Sequence, residues 1–177
     1  MKKTPFIAMV IFIAIVSICD LGALAQYNNQ KALLQKAEAL AKENAALCTI
    51  KNIGKTPGGK DIVVLTIGTG DKDNKPGIAV VGGIEGSHNL GRELALGFAS
   101  SLLRESSADP VKALLSKVTF YVFPDVSPDA TDAFFAALKS EKNVNDRPVD
   151  DDRDFVTDED PCEDLNNDGF ITLIRVT

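Results

Sequence analysis

Apolar positions recur at helical spacing over residues 27–47, where Leu33, Ala37, Leu40 and Ala41 fall within a stretch otherwise rich in Lys, Glu and Gln. That spacing predicts an amphipathic helix lying on a sheet. Two apolar runs follow, 49–53 and 62–67, and the turn signal Pro57, Gly58, Gly59 between them predicts a β-hairpin. The run GIAVV at 77–81 shows no alternation, which predicts a strand covered on both faces. Leu90, Leu94, Phe98 and Leu102 then step by four and predict a helix whose apolar stripe they form. Asp109 and Pro110 supply a cap and a first-turn proline for a short helix through Leu115, and VTFYVF at 118–123 predicts a second buried strand. Ser127 and Pro128 repeat that cap-and-proline pattern ahead of AFFAAL, and FITLIRV at 170–176 reads as one more strand. Strand, helix, strand with no hairpin turn between them predicts a crossover, hence an α/β fold with a mixed sheet sandwiched between helices.

The first 25 residues stand apart from that pattern. MKKTPFIAMVIFIAIVSICDLGALA has a basic start, an apolar stretch and a small-x-small exit, which predicts a signal peptide cleaved before Gln26. The apolar stretch at 6–18 is shorter than the roughly 20 residues a bilayer span needs, so no stable membrane span is expected after signal removal. Ile18 is bulky where lipid attachment at Cys19 would need a small residue. The expected location is outside the cytoplasm, periplasmic or extracellular. The remainder, about 150 residues, is enough for one domain with a real core.

Charge is distributed unevenly. Residues 146–168 hold eleven Asp or Glu against two Arg, a local charge of −9, whereas the whole chain sums to −6. The upstream part is therefore only slightly basic and offers no broad positive face, which argues against nucleic acid as a partner. Cys48 and Cys162 either pair in an oxidising compartment or stand as two buried or idle thiols.

The chain's one histidine follows a glutamate by three residues in GGIEGSHNLGREL, at 82–94. This stretch leaves a strand and enters a helix, the place where open α/β sheets put ligands. A carboxylate and an imidazole at such a turn, Glu85 and His88, can converge on Zn²⁺, which accepts both donor types. Catalytic zinc needs three protein ligands, and no second histidine exists here. An ordinary surface turn near a helix start has the same pattern, so the residues alone leave both readings open. Ser87 is not a serine-nucleophile elbow, because the flanking Gly-x-Ser-x-Gly pattern is missing.

GGIEGSHNLGRELAL at 82–96 resembles the metal-binding segment of the zinc carboxypeptidases, the carboxypeptidase A-like metallopeptidases. In that family a strand ends in a His-x-x-Glu pair followed by a Gly-Arg-Glu helix start. The order is reversed in this chain, with Glu85 where the family has histidine and His88 where it has glutamate. Three further stretches resemble the family in the same order. GKTPGGKDIVVLTIG is similar to its opening hairpin. FYVFPDVSPDATDAFF is similar to the strand leading to an Asn-Pro-Asp-Gly loop, with Ser127 and Ala130 replacing Asn and Gly. NDRPVDDDRDFVTDEDPCEDLNNDGFITLIRV is similar to the Asp-rich insertion of an exported bacterial branch.

The resemblance implies hydrolysis of the C-terminal peptide bond of a peptide or protein with a free C-terminus, assisted by Zn²⁺. It also implies that residues 26–177 form the N-terminal part of the peptidase domain, with the third zinc ligand and the general-base glutamate beyond Thr177. The family's substrate-clamping arginine falls near Lys142, which supplies charge without a bidentate fork. Its Asn-Arg pair is not carried onto Asn145 and Arg147, because Asp146 interrupts them.

The Asp-rich stretch has its own chemistry. Asp164, Asn166 and Asp168 followed by Gly169 match the first half of a calcium loop, with the Phe170 carbonyl as a further oxygen, although Arg175 stands at the twelfth position. Asp150, Asp152 and Asp154 begin a second such run that continues to Asp158, with Phe155 in the glycine position, where it disfavours the turn. So many carboxylates repel one another, and bound Ca²⁺ would relieve that repulsion; a solvated acidic loop is the alternative. Two functions are therefore weighed: an exported zinc metallocarboxypeptidase, and a non-catalytic, calcium-stabilised binding module, that is, a pseudopeptidase.

Overall fold

A computed structural model describes residues 27–140, 142–150, 153–157, 164 and 166–171. The signal peptide expected at 1–25, Asp152, Asp158, Cys162 and all of FITLIRV after Ile171 lie outside the described residues. The elements run in the order α1 (Gln30–Glu43), β1 (Cys48–Lys55), β2 (Asp61–Ile67), β3 (Gly77–Val81), α2 (Asn89–Arg104), α3 (Asp109–Lys117), β4 (Thr119–Phe123) and α4 (Pro128–Phe135). The short strands β5 (Lys139–Ser140) and β6 (Phe170–Ile171) follow and pair in parallel.

The main sheet has the order β1-β2-β4-β3. β1 pairs antiparallel with β2, β2 antiparallel with β4, and β3 parallel with β4. It is the expected mixed sheet, and the expected hairpin is the β1/β2 pair. Its turn closes through Thr56 N–H donating to the Lys60 carbonyl at 2.9 Å. Because β1, β3 and β4 run in the same direction, their carboxyl ends leave the sheet at one edge. Three connections are thereby gathered there: the 56–60 turn, the 82–88 turn and the segment 124–127.

One core cluster joins α1, α2 and α3 to the sheet. Leu33, Ala37 and Ala41 of α1 are buried in it, as their spacing predicts, beside Leu65 and Ile67 of β2, Phe120 and Val122 of β4, and Leu115 of α3. Each fully buried Leu, Ile, Val or Phe contributes about 1.5–3 kcal/mol. The Asn29 side chain caps α1, accepting from Ala32 N–H at 2.9 Å, and satisfies a donor that would otherwise lack a partner.

Three expectations are corrected. α2 forms where predicted, but its buried face is Arg92, Ala95, Leu96, Ala99, Leu102 and Leu103, while Leu90 is exposed and Leu94 is 62 % exposed. The cause is an ion pair that draws Arg92 inward, together with two alanines that let the helix approach the sheet. Phe98 sits at the boundary, its ring 5.5 Å from that of Phe120. β3 is exposed rather than covered on both faces, because it is the edge strand and pairs only with β4 among the described residues. Asp109 is the first residue of α3 rather than its cap; Ala108 takes that place with no side-chain hydrogen bond.

Candidate functional site

The parallel pairing of β3 with β4 continues past the strand ends. Gly82 N–H donates to the Phe123 carbonyl at 2.8 Å and Val126 N–H to the Gly82 carbonyl at 3.3 Å. The chain then turns sharply at Gly83, whose φ is 62°, and a Cβ there would fall on Asp125 Oδ1. Glycine satisfies both demands at once. The turn that follows is closed by His88 N–H donating to the Glu85 carbonyl at 3.1 Å.

This turn brings Glu85 and His88 together. His88 Nδ1 lies 2.6 Å from Glu85 Oε2, and the side chains are 77 % and 54 % exposed. Their donor atoms thus meet at the sheet's carboxyl edge and remain open to solvent. The pair supplies a nitrogen and an oxygen, which are donor types zinc takes, but catalytic zinc has three protein ligands. Among the described residues no group of three His, Cys, Asp or Glu is placed to hold a metal. The pair therefore offers two donors of the kinds such a site uses, fewer than the three it needs.

A buried ion pair lies beneath the turn. Arg92 Nε donates to Asp125 Oδ2 at 2.8 Å, with side-chain exposures of 0 % and 2 %. Asp125 also accepts from Ser127 N–H at 3.0 Å and from Thr131 Oγ1 at 3.0 Å. Burial pushes the Asp125 carboxyl up from its ordinary value, against the lowering pull of Arg92 and of these hydrogen bonds. The remaining guanidinium donors go to the Asn28 carbonyl, Asn89 Oδ1 and Gln30 Oε1, so Arg92 anchors the entry to α1 as well.

A second buried carboxylate stands four residues on. Asp129 accepts from Thr56 Oγ1 at 2.7 Å, from Gly58 N–H at 3.2 Å and from Asp146 N–H at 3.1 Å. It ties the hairpin turn, the start of α4 and the 142–146 segment together. That segment touches the turn directly, since Gly86 N–H donates to the Asn143 carbonyl at 3.2 Å. Ser127, expected as the helix cap, makes no capping bond and donates Oγ to the Ile84 carbonyl at 2.9 Å instead.

The other candidate residues lie apart from this turn's side chains. Lys142 Nζ is 2.8 Å from Asp146 Oδ1. Asp150 accepts from the N–H groups of Arg153, Asp154 and Phe155 at 2.6, 3.1 and 3.0 Å, and Asp154 from Val156 at 2.8 Å. Asp164 accepts from Asp168 and Gly169 at 3.2 and 2.9 Å, and Asp168 from Phe170 at 2.8 Å. Asn166 Nδ2 donates to Asp168 Oδ2 at 2.8 Å. The two loops share one feature: left-handed residues fall at equal offsets, Arg153 and Phe155 in the first and Asn167 and Gly169 in the second. Phe155 therefore adopts the glycine-like turn, with φ 75°, despite its side chain. Cys48 is buried at the start of β1, where desolvation pushes its thiol up, and Cys162 lies outside the described residues.

Sequence reasoning did not single out Arg92, Asp125 or Asn89. A signal existed for the first. Arg92 falls at helical spacing with Ala95, Leu96, Ala99 and Leu103, so a cation sits in line with an apolar face and requires a buried partner.

A family model described as zinc carboxypeptidase matches residues 33–169. Carboxypeptidase E of Caenorhabditis elegans is 26 % identical over 141 residues, 73 % of this chain and 29 % of that protein. Carboxypeptidase M of Mus musculus is 25 % identical over 112 residues, covering 61 % of this chain and 25 % of that protein. Bovine thrombin-activatable fibrinolysis inhibitor, solved in complex with tick carboxypeptidase inhibitor, shares the fold with a TM-score of 0.60 at 18 % identity, over 75 % of this chain and 41 % of that one. The chain thus spans less than a third of the length of these curated relatives. Taken with the mixed sheet and the strand-exit turn, the match over 33–169 means that this chain belongs to the zinc carboxypeptidase family.

Proposed function

We propose that the chain is the N-terminal part of an exported zinc metallocarboxypeptidase in which Glu85 and His88 are two of the zinc ligands. The observation that carries this reading is the 2.6 Å approach of His88 Nδ1 to Glu85 Oε2 at the carboxyl end of β3, within the matched region. The reversed ligand order is compatible with it, because the closed turn brings the two side chains together whichever comes first. The substrate is a peptide or protein with a free C-terminus, hydrolysed at its last peptide bond. Zinc, when bound, polarises the scissile carbonyl and lowers the pKa of a bound water. Glu85 and His88 hold the ion; the third ligand and the general base belong to chain beyond Thr177. Lys142 is the proposed contact for the substrate carboxylate, since its neighbour Asn143 touches the turn, and it acts there as a point charge.

Export rests on the leader at 1–25. Among the described residues no helix is long and apolar enough to cross a membrane.

Calcium is proposed for the acidic loops, with Asp150, Asp152, Asp154 and Asp158 on the first and Asp164, Asn166 and Asp168 on the second. The equal offsets of left-handed residues and carboxylate-to-backbone bonds in the two loops support a shared ligand type. The complete translation product containing residues 1–177 should be assayed for release of C-terminal residues from peptides, and for metal content. Stoichiometric zinc with carboxypeptidase activity is expected. A zinc-free, inactive product that melts lower after calcium chelation would instead identify a calcium-stabilised binding module.

A further inference from the structure

The side chains of Glu85 and His88 are largely in solvent and touch each other, so among the described residues their aim depends on the backbone of their own turn. Besides the Gly86 N–H bond to the Asn143 carbonyl, side chains hold that backbone at the two carbonyls that directly precede Glu85 and His88. Ser127 Oγ donates to the Ile84 carbonyl at 2.9 Å, and Asn89 Nδ2 donates to the Ser87 carbonyl at 3.3 Å. Both holders lead back to one place. Ser127 N–H donates to Asp125 Oδ1 at 3.0 Å, and Asn89 Oδ1 accepts from Arg92 Nη1 at 2.8 Å. The second contact fixes the amide's orientation: with Oδ1 committed to the guanidinium, Nδ2 has to face Ser87.

We infer that the ion pair of Arg92 with Asp125 is the positioning element of the proposed metal pair, bracing the turn through Ser127 on one side and Asn89 on the other. It rests on the zinc assignment above. A buried ion pair is poor evidence of stability, because an apolar pair of similar volume often serves the fold as well or better. What an apolar pair cannot do is orient Asn89 and Ser127. The pair also wedges the strand exit, since a side chain at Gly83 would meet both Asp125 Oδ1 and Arg92 Cγ. Arg92 and Asp125 touch neither substrate nor the pair in this scheme; they act on the backbone of its turn through Asn89 and Ser127.

The test measures Zn²⁺ affinity by chelator competition, alongside melting temperature, on the complete translation product. Arg92→Met is expected to weaken Zn²⁺ binding at least roughly tenfold, the lower end for outer-shell changes. Arg92→Met combined with Asp125→Leu is expected to recover the melting temperature while keeping the weakened affinity. Ser127→Ala, which cuts one brace and leaves the ion pair, should weaken binding by about fivefold with little change in melting. Leu115→Ala, destabilised in the core far along α3, should bind zinc as the parent does. Parental affinity in the apolar double variant or in Ser127→Ala, or an equal loss in Leu115→Ala, would overturn the proposal. A parent protein that binds no Zn²⁺ would instead remove the zinc assignment, and the positioning role with it.

Discussion

Asp129 and Thr56, 73 positions apart, meet in a buried hydrogen bond of 2.7 Å that fastens the β1/β2 hairpin turn to the start of α4. The same carboxylate receives N–H groups from Gly58 and Asp146, so one side chain satisfies three donors from two segments. Asp129→Ala leaves all of these unpaired in a site with little access to water. It should cost about 3 kcal/mol in urea unfolding, whereas Thr56→Val, which removes one donor to Asp129 and the acceptor of Lys60 N–H, should cost about 2 kcal/mol. Equal costs would mean that the hydroxyl alone carries the junction.

The ion pair beneath the turn makes a pH prediction. The Asp125 carboxyl is raised by burial, so the folded state holds its proton more tightly than the unfolded state does. Its contribution to stability is therefore largest below the ordinary carboxylate range and is lost as pH rises through the raised value. Arg92 opposes this loss by favouring the ionised form. Arg92→Met should consequently be most destabilising near pH 7 and approach the parent as the pH falls toward about 4. A deficit independent of pH would show that Arg92 supports the fold by packing alone.

The rotation of α2 is testable through two small residues. A Cβ added at Gly97 meets nothing within 4 Å, and the residue lies within the helix. Gly97→Ala should stabilise by about 1 kcal/mol through helix propensity. Ala99 is fully buried, and Ala99→Leu should cost about 1–3 kcal/mol by overpacking. Were the Leu90, Leu94, Phe98 stripe the buried one, Ala99→Leu would be close to neutral. Chemical denaturation of both variants decides it.

That helix marks the limit of what the sequence makes legible. Its existence, like that of the hairpin and of the VTFYVF strand, follows from local spacing, because periodicity records which residues share a face. Which face turns inward depends on a contact between Arg92 and Asp125, 33 positions apart, and spacing within one helix carries no record of it. The exposure of β3 has a similar cause: an unbroken apolar run reports a strand suited to burial, while its neighbours are decided by the topology. The meeting of Glu85 with His88 was legible because the turn that joins them is local. Their support was not, since Asn89, Ser127 and Asp125 come from two separate connections.

Phe155 offers a prediction for the acidic loops. It holds φ at 75° with a side chain that is 96 % exposed, so it bears the strain of a left-handed conformation with no packing in return. Gly169 stands at the matching place in the second loop with φ 83°. Phe155→Gly should therefore stabilise the first loop by about 1 kcal/mol and, if the loop holds calcium as proposed, raise the affinity several-fold by calorimetric titration. Unchanged affinity together with no melting shift on chelation would remove calcium from the account.

If Glu85 and His88 grip one zinc ion, as proposed, the metal stoichiometry of the complete translation product depends on both. Elemental analysis should find one zinc per chain in the parent, and a small fraction of that in Glu85→Ala and in His88→Ala, with the fold retained by circular dichroism. Full zinc content in both variants, or none in the parent, would contradict the account.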